Sequence, residues 1–279
     1  IIPATPDCRP PTIKEISLPD KFKPGTTQTT DLSKVSDPSK VANLTLDTGV
    51  NTIKFKDDVD LSSADTIDKF KNLDAYVKCD KAGVIAIDSA ALPALNKKAT
   101  LTMKGLSFTK TPRILVDGKE DKKAVTNLKY VKGVLSFDVN HFSTYMAAAS
   151  ITIETPKNNF ESKEKRITLK GIVSDPTATV SAMLNSRSLG KLKVASESGN
   201  FNLSVALDKG LNTLVVTALS VYGSSASATV AGTFAQPESM LAWIIGLFGS
   251  LIVFTAVLYY LKTRKQTGSV ASHEQDTSL

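Results

Sequence analysis

From residue 41 onward, apolar and polar positions alternate with period two in short runs separated by turn residues. VANLTLD (41–47) and NTIKFK (51–56) open the series, with Ile53 and Phe55 set against polar neighbours. AYVKCD (75–80), VIAID (84–88), ATLTMKGL (99–106), RILVD (113–117) and GVLSFDV (133–139) continue it. Asp47-Thr48-Gly49, Lys81-Ala82-Gly83 and Asp117-Gly118 supply turns between them. Only SADTIDKFKNL (63–73) carries a helical pattern, with Ser63 placed to cap it. These runs predict a β-rich domain over 41–149.

A second series starts at Ile151. ITIETP, RITLKGIVSD, ATVSAML, KLKVA, NFNLSVAL, NTLVVTAL and SATVAGTF are strands at even spacing. Turns are expected at Asp175-Pro176, Ser198-Gly199-Asn200, Lys209-Gly210 and Tyr222-Gly223. Phe201, Leu203, Val205 and Leu207 all project to one face of their strand. About seven short strands over 150–235 predict an immunoglobulin-like β-sandwich, without the Cys-Trp-Cys signature of antibody domains. The predicted fold class is therefore all-β: two β-sandwich-like domains in tandem, plus one C-terminal transmembrane α-helix.

That helix is the segment from Met240 to Leu261, MLAWIIGLFGSLIVFTAVLYYL, which contains no charged residue. As a helix it would span roughly 33 Å, enough for a bilayer core of about 30 Å. Trp243 sits near one end and Tyr259 and Tyr260 near the other, as in an aromatic belt. Lys262, Arg264 and Lys265 follow at once, whereas Glu238 precedes. The positive-inside rule then places 262–279 in the cytoplasm as a tail and the N-terminal part outside, at the cell membrane. Residues 236–261 form linker and transmembrane helix, and the lipid bilayer is the partner of 240–261. Gly246 and Ser250 form a small-xxx-small pair that would let two such helices pack closely as a homodimer. Residues 1–40, with seven prolines, read as an N-terminal linker. The chain begins Ile-Ile-Pro with no secretory signal pattern, so an exported chain starting there is expected to be processed or to continue something longer.

The formal net charge of +7 comes from lysines scattered singly through strands and turns. No basic stripe with interleaved aromatics is present, so nucleic acid is not an expected partner. Cys8 and Cys79 are the two cysteines; outside the cell they permit one disulfide, and the alternative is that Cys79 is a buried thiol. Asn43-Leu44-Thr45 and Asn202-Leu203-Ser204 are glycosylation sequons, of use only in a glycosylating host. His141 and His273 are the only histidines, and neither has sequence neighbours suited to a catalytic base or metal ligand. Asp57, Asp58 and Asp60 lack the D-x-D-x-D-G loop of a calcium site and read as turn carboxylates. No catalytic, cofactor-binding or metal site is expected, and the chain does not read as an enzyme.

Residues 59–68 (VDLSSADTID), 88–108, 113–119 (RILVDGK) and 137–147 (FDVNHFSTYMA) resemble a β-domain that recurs in large surface proteins of archaea. That family often has a cysteine pair soon after the position of Asp117-Gly118; here KEDKKAVTN (119–127) has none. The second series is similar to bacterial and archaeal Ig-like modules, most specifically at Ser198–Phe201 and Lys209–Asn212. The resemblances imply a surface location and a spacer or accessory role. The functional expectation is a membrane-anchored structural or interaction protein, an envelope or adhesion component that meets cell-surface proteins or glycans. The alternatives are the stalk and anchor of a surface hydrolase or protease encoded upstream, or a glycan-binding module using Tyr76, Tyr130, Tyr145 and Tyr222.

Overall fold

A computed structural model describes residues 12–121, 123–236 and 251–261. Two compact units are distinguished, Ile1–Phe234 and Ala235–Leu279.

The first unit holds two sandwiches. In the N-terminal one, one sheet runs β1 (Thr45–Asp47), β2 (Asn51–Phe55), β5 (Ala99–Met103), β9 (Val134–Val139) and β8 (Val125–Val131). The facing sheet runs β3 (Val77–Lys78), β4 (Val84–Ile87), β10 (Thr144–Ala148), β6 (Arg113–Val116) and β7 (Lys119–Glu120). Every strand pair here is antiparallel. Period-two alternation sends Ile53, Phe55, Leu101 and Phe137 inward from one sheet and Ile85 and Tyr145 from the other, all fully buried. Phe137 and Tyr145 meet across the layers at 5.9 Å between ring centroids. The expected helix forms as α1 (Ala64–Lys71): Ser63 accepts from the Thr66 amide at 3.1 Å, and Ile67 and Phe70 are buried.

The expectation of an N-terminal linker over 1–40 is corrected from residue 12 onward, where the segment packs into the core, while residues 1–11 lie outside the described residues. Ile13, Phe22 and Leu32 are buried in the core on short 3-10 turns, and Leu18, between the first two turns, is buried with them. Proline does break regular structure here, but core occupancy needs only apolar side chains in reach, not a regular element. Hydrogen bonds close the gap. The Gln28 amide donates to Asp47 Oδ2 at 2.9 Å, Thr29 Oγ1 donates to the Asp47 carbonyl at 2.9 Å, and the Thr30 amide donates to the Thr45 carbonyl at 2.9 Å. The segment is thereby laid along β1.

The second sandwich places β11 (Ile151–Thr155), β13 (Arg166–Val173) and β16 (Asn200–Ala206) in one sheet. The other runs β12 (Phe160–Ser162), β18 (Ser225–Phe234), β17 (Gly210–Leu219), β14 (Thr179–Leu184) and β15 (Arg187–Leu192). All pairs are antiparallel except β12 with β18, which is parallel. First, third and sixth strands against the rest is the Ig-like arrangement the spacing predicted. The KLKVA run is only half strand: β15 ends at Leu192, and Val194 makes a single bridge to Phe201. Asn212 is buried on β17 because its side chain is a turn device. Its Oδ1 accepts from the Asp208 amide at 2.8 Å, and its Nδ2 donates to the Asp208 and Gly210 carbonyls.

In the second unit, residues 251–261 are helical, and each is exposed. The rest of the expected span, 240–250, lies outside the described residues, as does the tail 262–279. Among the described residues no helix is long and apolar enough to cross a membrane.

Candidate functional site

The most elaborated set of contacts in the first unit is the junction between its two sandwiches. Only Ala149 and Ser150 separate β10 from β11, and Ala148 and Ala149 are fully buried. Their backbone is held from both sides. Arg113 Nη2 donates to the Ala149 carbonyl at 2.7 Å, and the Ser150 amide donates to Ser174 Oγ at 2.8 Å. The Ser174 amide returns a bond to the Ser150 carbonyl at 2.9 Å, and the Thr109 amide donates to the Ser174 carbonyl at 2.8 Å.

Tyr222 is the anchor of this junction. It sits in the β17–β18 turn, is only 5% exposed, and reaches into the N-terminal sandwich. Its hydroxyl accepts from the Ser107 amide at 2.8 Å and donates to the Gly105 carbonyl at 3.3 Å. Its ring lies 5.3 Å from that of Phe108, which in turn meets Tyr130 edge-on at 6.3 Å. Tyr130 donates to the Phe108 and Leu106 carbonyls, fixing the same 105–109 segment. On the other flank Gly83 lies against the Tyr222 ring. A Cβ built there would stand 2.9 Å from three ring-side atoms, so the site requires glycine for space as well as for its φ of 75°.

Both partners are braced. Asp175, fully buried, accepts from Ser220 Oγ at 2.6 Å and from Thr177 Oγ1 at 2.5 Å; Ser220 Oγ accepts from the Tyr222 amide at 3.2 Å. On the N-terminal side Asn51 Nδ2 donates to the carbonyls of Cys79, Lys81 and Val84, which holds the loop that presents Gly83. These are preorganised contacts on rigid elements. They restrict one sandwich relative to the other and place no reactive group in a cleft.

The residues singled out from the sequence are dispersed. Cys79 is a free, fully buried thiol, and burial pushes its pKa up to about 12 despite a nearby Thr48 hydroxyl; Cys8 lies outside the described residues. We expect thiol reagents to modify Cys79 only at the rate of unfolding. Fast labelling of the native chain, assigned to Cys79 by peptide mapping, would refute this. Asn43 is exposed in a turn at φ 54°, with the Thr45 hydroxyl donating to its carbonyl. Asn202 is exposed on β16, its neighbour Phe201 buried on the opposite face. His141 is exposed, and its carbonyl accepts from Tyr145 Oη at 2.7 Å. Asp60 serves a local turn, accepting from the Ser62 amide at 2.9 Å, whereas Asp57 accepts from the Lys98 amide, 41 residues away, at 3.3 Å. His273 lies outside the described residues. Among the described residues no group of three or more His, Cys, Asp or Glu could hold a metal ion.

The tyrosines expected as a glycan platform are not a platform. Tyr145 and Tyr222 are buried, and Tyr76 and Tyr130 are partly buried against the core. Sequence reasoning missed the junction because Tyr222-Gly223 reads as a turn; the signal available was a large aromatic in that turn together with a two-residue connection between domains.

No protein-family model and no curated protein matches the chain. Among solved structures it is similar to the fibronectin(III)-like modules of Clostridium thermocellum CbhA, at 14% identity over 32% of this chain and 99% of that one, with a TM-score of 0.28. It is also similar to the titin I9–I11 tandem, at 12% identity over 50% of this chain and 61% of that one, TM-score 0.22. A third is the N-terminal Ig1-2 module of the Drosophila receptor protein tyrosine phosphatase DLAR, at 10% identity over 52% and 92%, TM-score 0.21. No identification of the first sandwich with the archaeal surface β-domain comes from these matches. It is the strand order itself that makes the second sandwich Ig-like.

Proposed function

We propose that the chain is a membrane-anchored surface stalk: two sandwiches locked to each other that hold whatever they carry or contact away from the bilayer. The observation that supports this best is the Tyr222 junction. A catalytic protein needs titratable groups brought together, whereas a spacer needs its modules locked, and the side-chain chemistry of this unit is spent on locking. The anchor is the uncharged segment 240–261. Its described part, 251–261, is helical and exposes Ile252, Phe254 and Tyr260 at 60–75%. A helix apolar on all sides suits lipid, not water. The exposed sequons at Asn43 and Asn202 suit an outward-facing stalk, and the tail from Lys262 suits the cytoplasmic side.

The test is membrane partition. The full chain should stay with the membrane pellet after alkaline extraction, and deletion of 240–261 should release it. External protease should remove the sandwiches and spare a tag placed after Leu279. Release of the intact chain by alkali, or a tail reachable from outside, would refute the anchor or its orientation.

A further inference from the structure

We propose that the end of the second sandwich from which β18 leaves is a contact surface for anionic lipid headgroups, in the bilayer that holds the chain. The inference rests on the membrane-anchored reading. Three connections meet at this end. The β12–β13 loop (163–165) lies beside the last residues of β18, because Ser162 pairs with Phe234. The β16–β17 turn (207–209) lies there too: Gly210 pairs with Phe234, and the Leu207 amide donates to the Lys165 carbonyl at 2.8 Å. The β14–β15 turn joins them through Asn185. Its Nδ2 donates to Asp208 Oδ2 at 3.0 Å, and its Oδ1 accepts from the Thr213 amide at 2.8 Å.

These connections carry Lys163, Lys165, Arg166, Arg187 and Lys209, all exposed. Five bases stand against two acids, Glu164 and Asp208, a net of +3. Asp208 is already met by Arg187 at 3.7 Å. Among the described residues, Lys163, Lys165, Arg166 and Lys209 make no ion pair. The opposite end of the same sandwich differs. Its connections, 174–178, 193–199 and 220–224, hold only Asp175, Lys193 and Glu197, and it is the end joined to the first sandwich.

Chain connectivity selects the occupant. β18 ends at Phe234 and the uncharged segment begins at Met240, so residues 235–239 are all that separate them. A connection of that length reaches at most about 20 Å. The basic end is thereby held near the headgroups, within reach of a field that decays over about 8–10 Å. A soluble polyanion would have to be captured from solution, whereas the lipid is present at the effective concentration the tether imposes. Glu238 is the one charge the connection adds, and it does not reverse the sign. Each base near an anionic surface is worth roughly a five-fold gain in occupancy.

The test is energy transfer in lipid nanodiscs. The full chain, as Cys8→Ser/Leu211→Cys, takes a donor dye at the exposed position 211, since Cys79 is buried; the acceptor is on a lipid headgroup. Transfer should be several-fold higher in phosphatidylcholine discs with about 30% phosphatidylglycerol than in phosphatidylcholine alone, and about 0.5 M NaCl should erase the difference. Lys163→Glu/Lys165→Glu/Lys209→Glu should erase it at low salt with an unchanged melting temperature. Lys54→Glu/Lys119→Glu/Lys129→Glu, the same charge change on the first sandwich, should preserve it. Equal transfer in the two discs overturns the contact and leaves the anchor standing. A difference that survives in the 163/165/209 variant, or is lost equally in the 54/119/129 variant, overturns it too, since the effect would then not belong to this end. A chain that does not elute with discs of either composition overturns the anchor, and this contact with it.

Discussion

Replacing Tyr222 by alanine should uncouple the two sandwiches. The wild type is expected to melt in one calorimetric transition, because each module buries part of its surface on the other. Tyr222→Ala removes a ring packed between Phe108 and Gly83 and leaves the Ser107 amide without its acceptor. A loss of about 3–5 kcal/mol is expected, and the single transition should divide into two as the modules melt separately. Tyr222→Phe isolates the hydroxyl and should cost about 1 kcal/mol, the net worth of a part-buried hydrogen bond. Gly83→Val should reproduce the alanine phenotype from the other side, since its side chain enters the space of the ring. Small-angle scattering should show the particle broaden in all cases where two transitions appear. A Tyr222→Ala protein that loses under about 1 kcal/mol and keeps one transition would show that Tyr222 is not what couples the modules.

Inside the second sandwich the largest effect should come from Phe201 and its cross-strand neighbour Gly171. Phe201 is 2% exposed and pairs in register with Gly171, and its ring lies over that glycine. Phe201→Ala should cost about 3–5 kcal/mol through the cavity it leaves. Gly171→Ala should be comparably damaging for the opposite reason: its Cβ would fall inside contact distance of both the Phe201 ring and the Thr152 carbonyl. The double variant separates the two clashes. Removing the ring relieves one, but the Thr152 carbonyl belongs to β11 and cannot retreat without breaking that strand's pairing with β13. Chemical denaturation should therefore show Phe201→Ala/Gly171→Ala no more stable than either single variant. Recovery above the singles would mean that β11 is free to shift.

What could be read from the sequence was whatever depends on neighbours in sequence. Alternation placed β2, β5, β9, β13 and β16, and the Ser63 cap marked the helix. β8 was missed because a register shift between Thr126 and Lys129, with Asn127 at φ 53°, interrupts its alternation. β12 has three residues, too few to show a period. The docked segment before residue 41 was misread because its apolar residues follow no period; Ile13, Leu18, Phe22 and Leu32 are placed by tertiary contact alone. The junction was invisible for the same reason. Tyr222 and Ser107 lie 115 residues apart, and nothing local to either announces the other. Burial likewise decided the aromatic residues, since a tyrosine in a strand looks the same whether it faces ligand or core.

The parallel pairing of β12 with β18 has a mechanical consequence. Tension along a tether enters the second sandwich from the side of β11 and β12 and leaves through the end of β18. Two parallel strands drawn apart by their opposite ends slide along each other, so the bonds joining Phe160–Ser162 to Gly232–Phe234 bear load together. Antiparallel strands pulled from adjacent ends would instead open one bond at a time, like a zip. The short strand that the sequence concealed is thus the element that would make this module yield late under tension applied through its two ends.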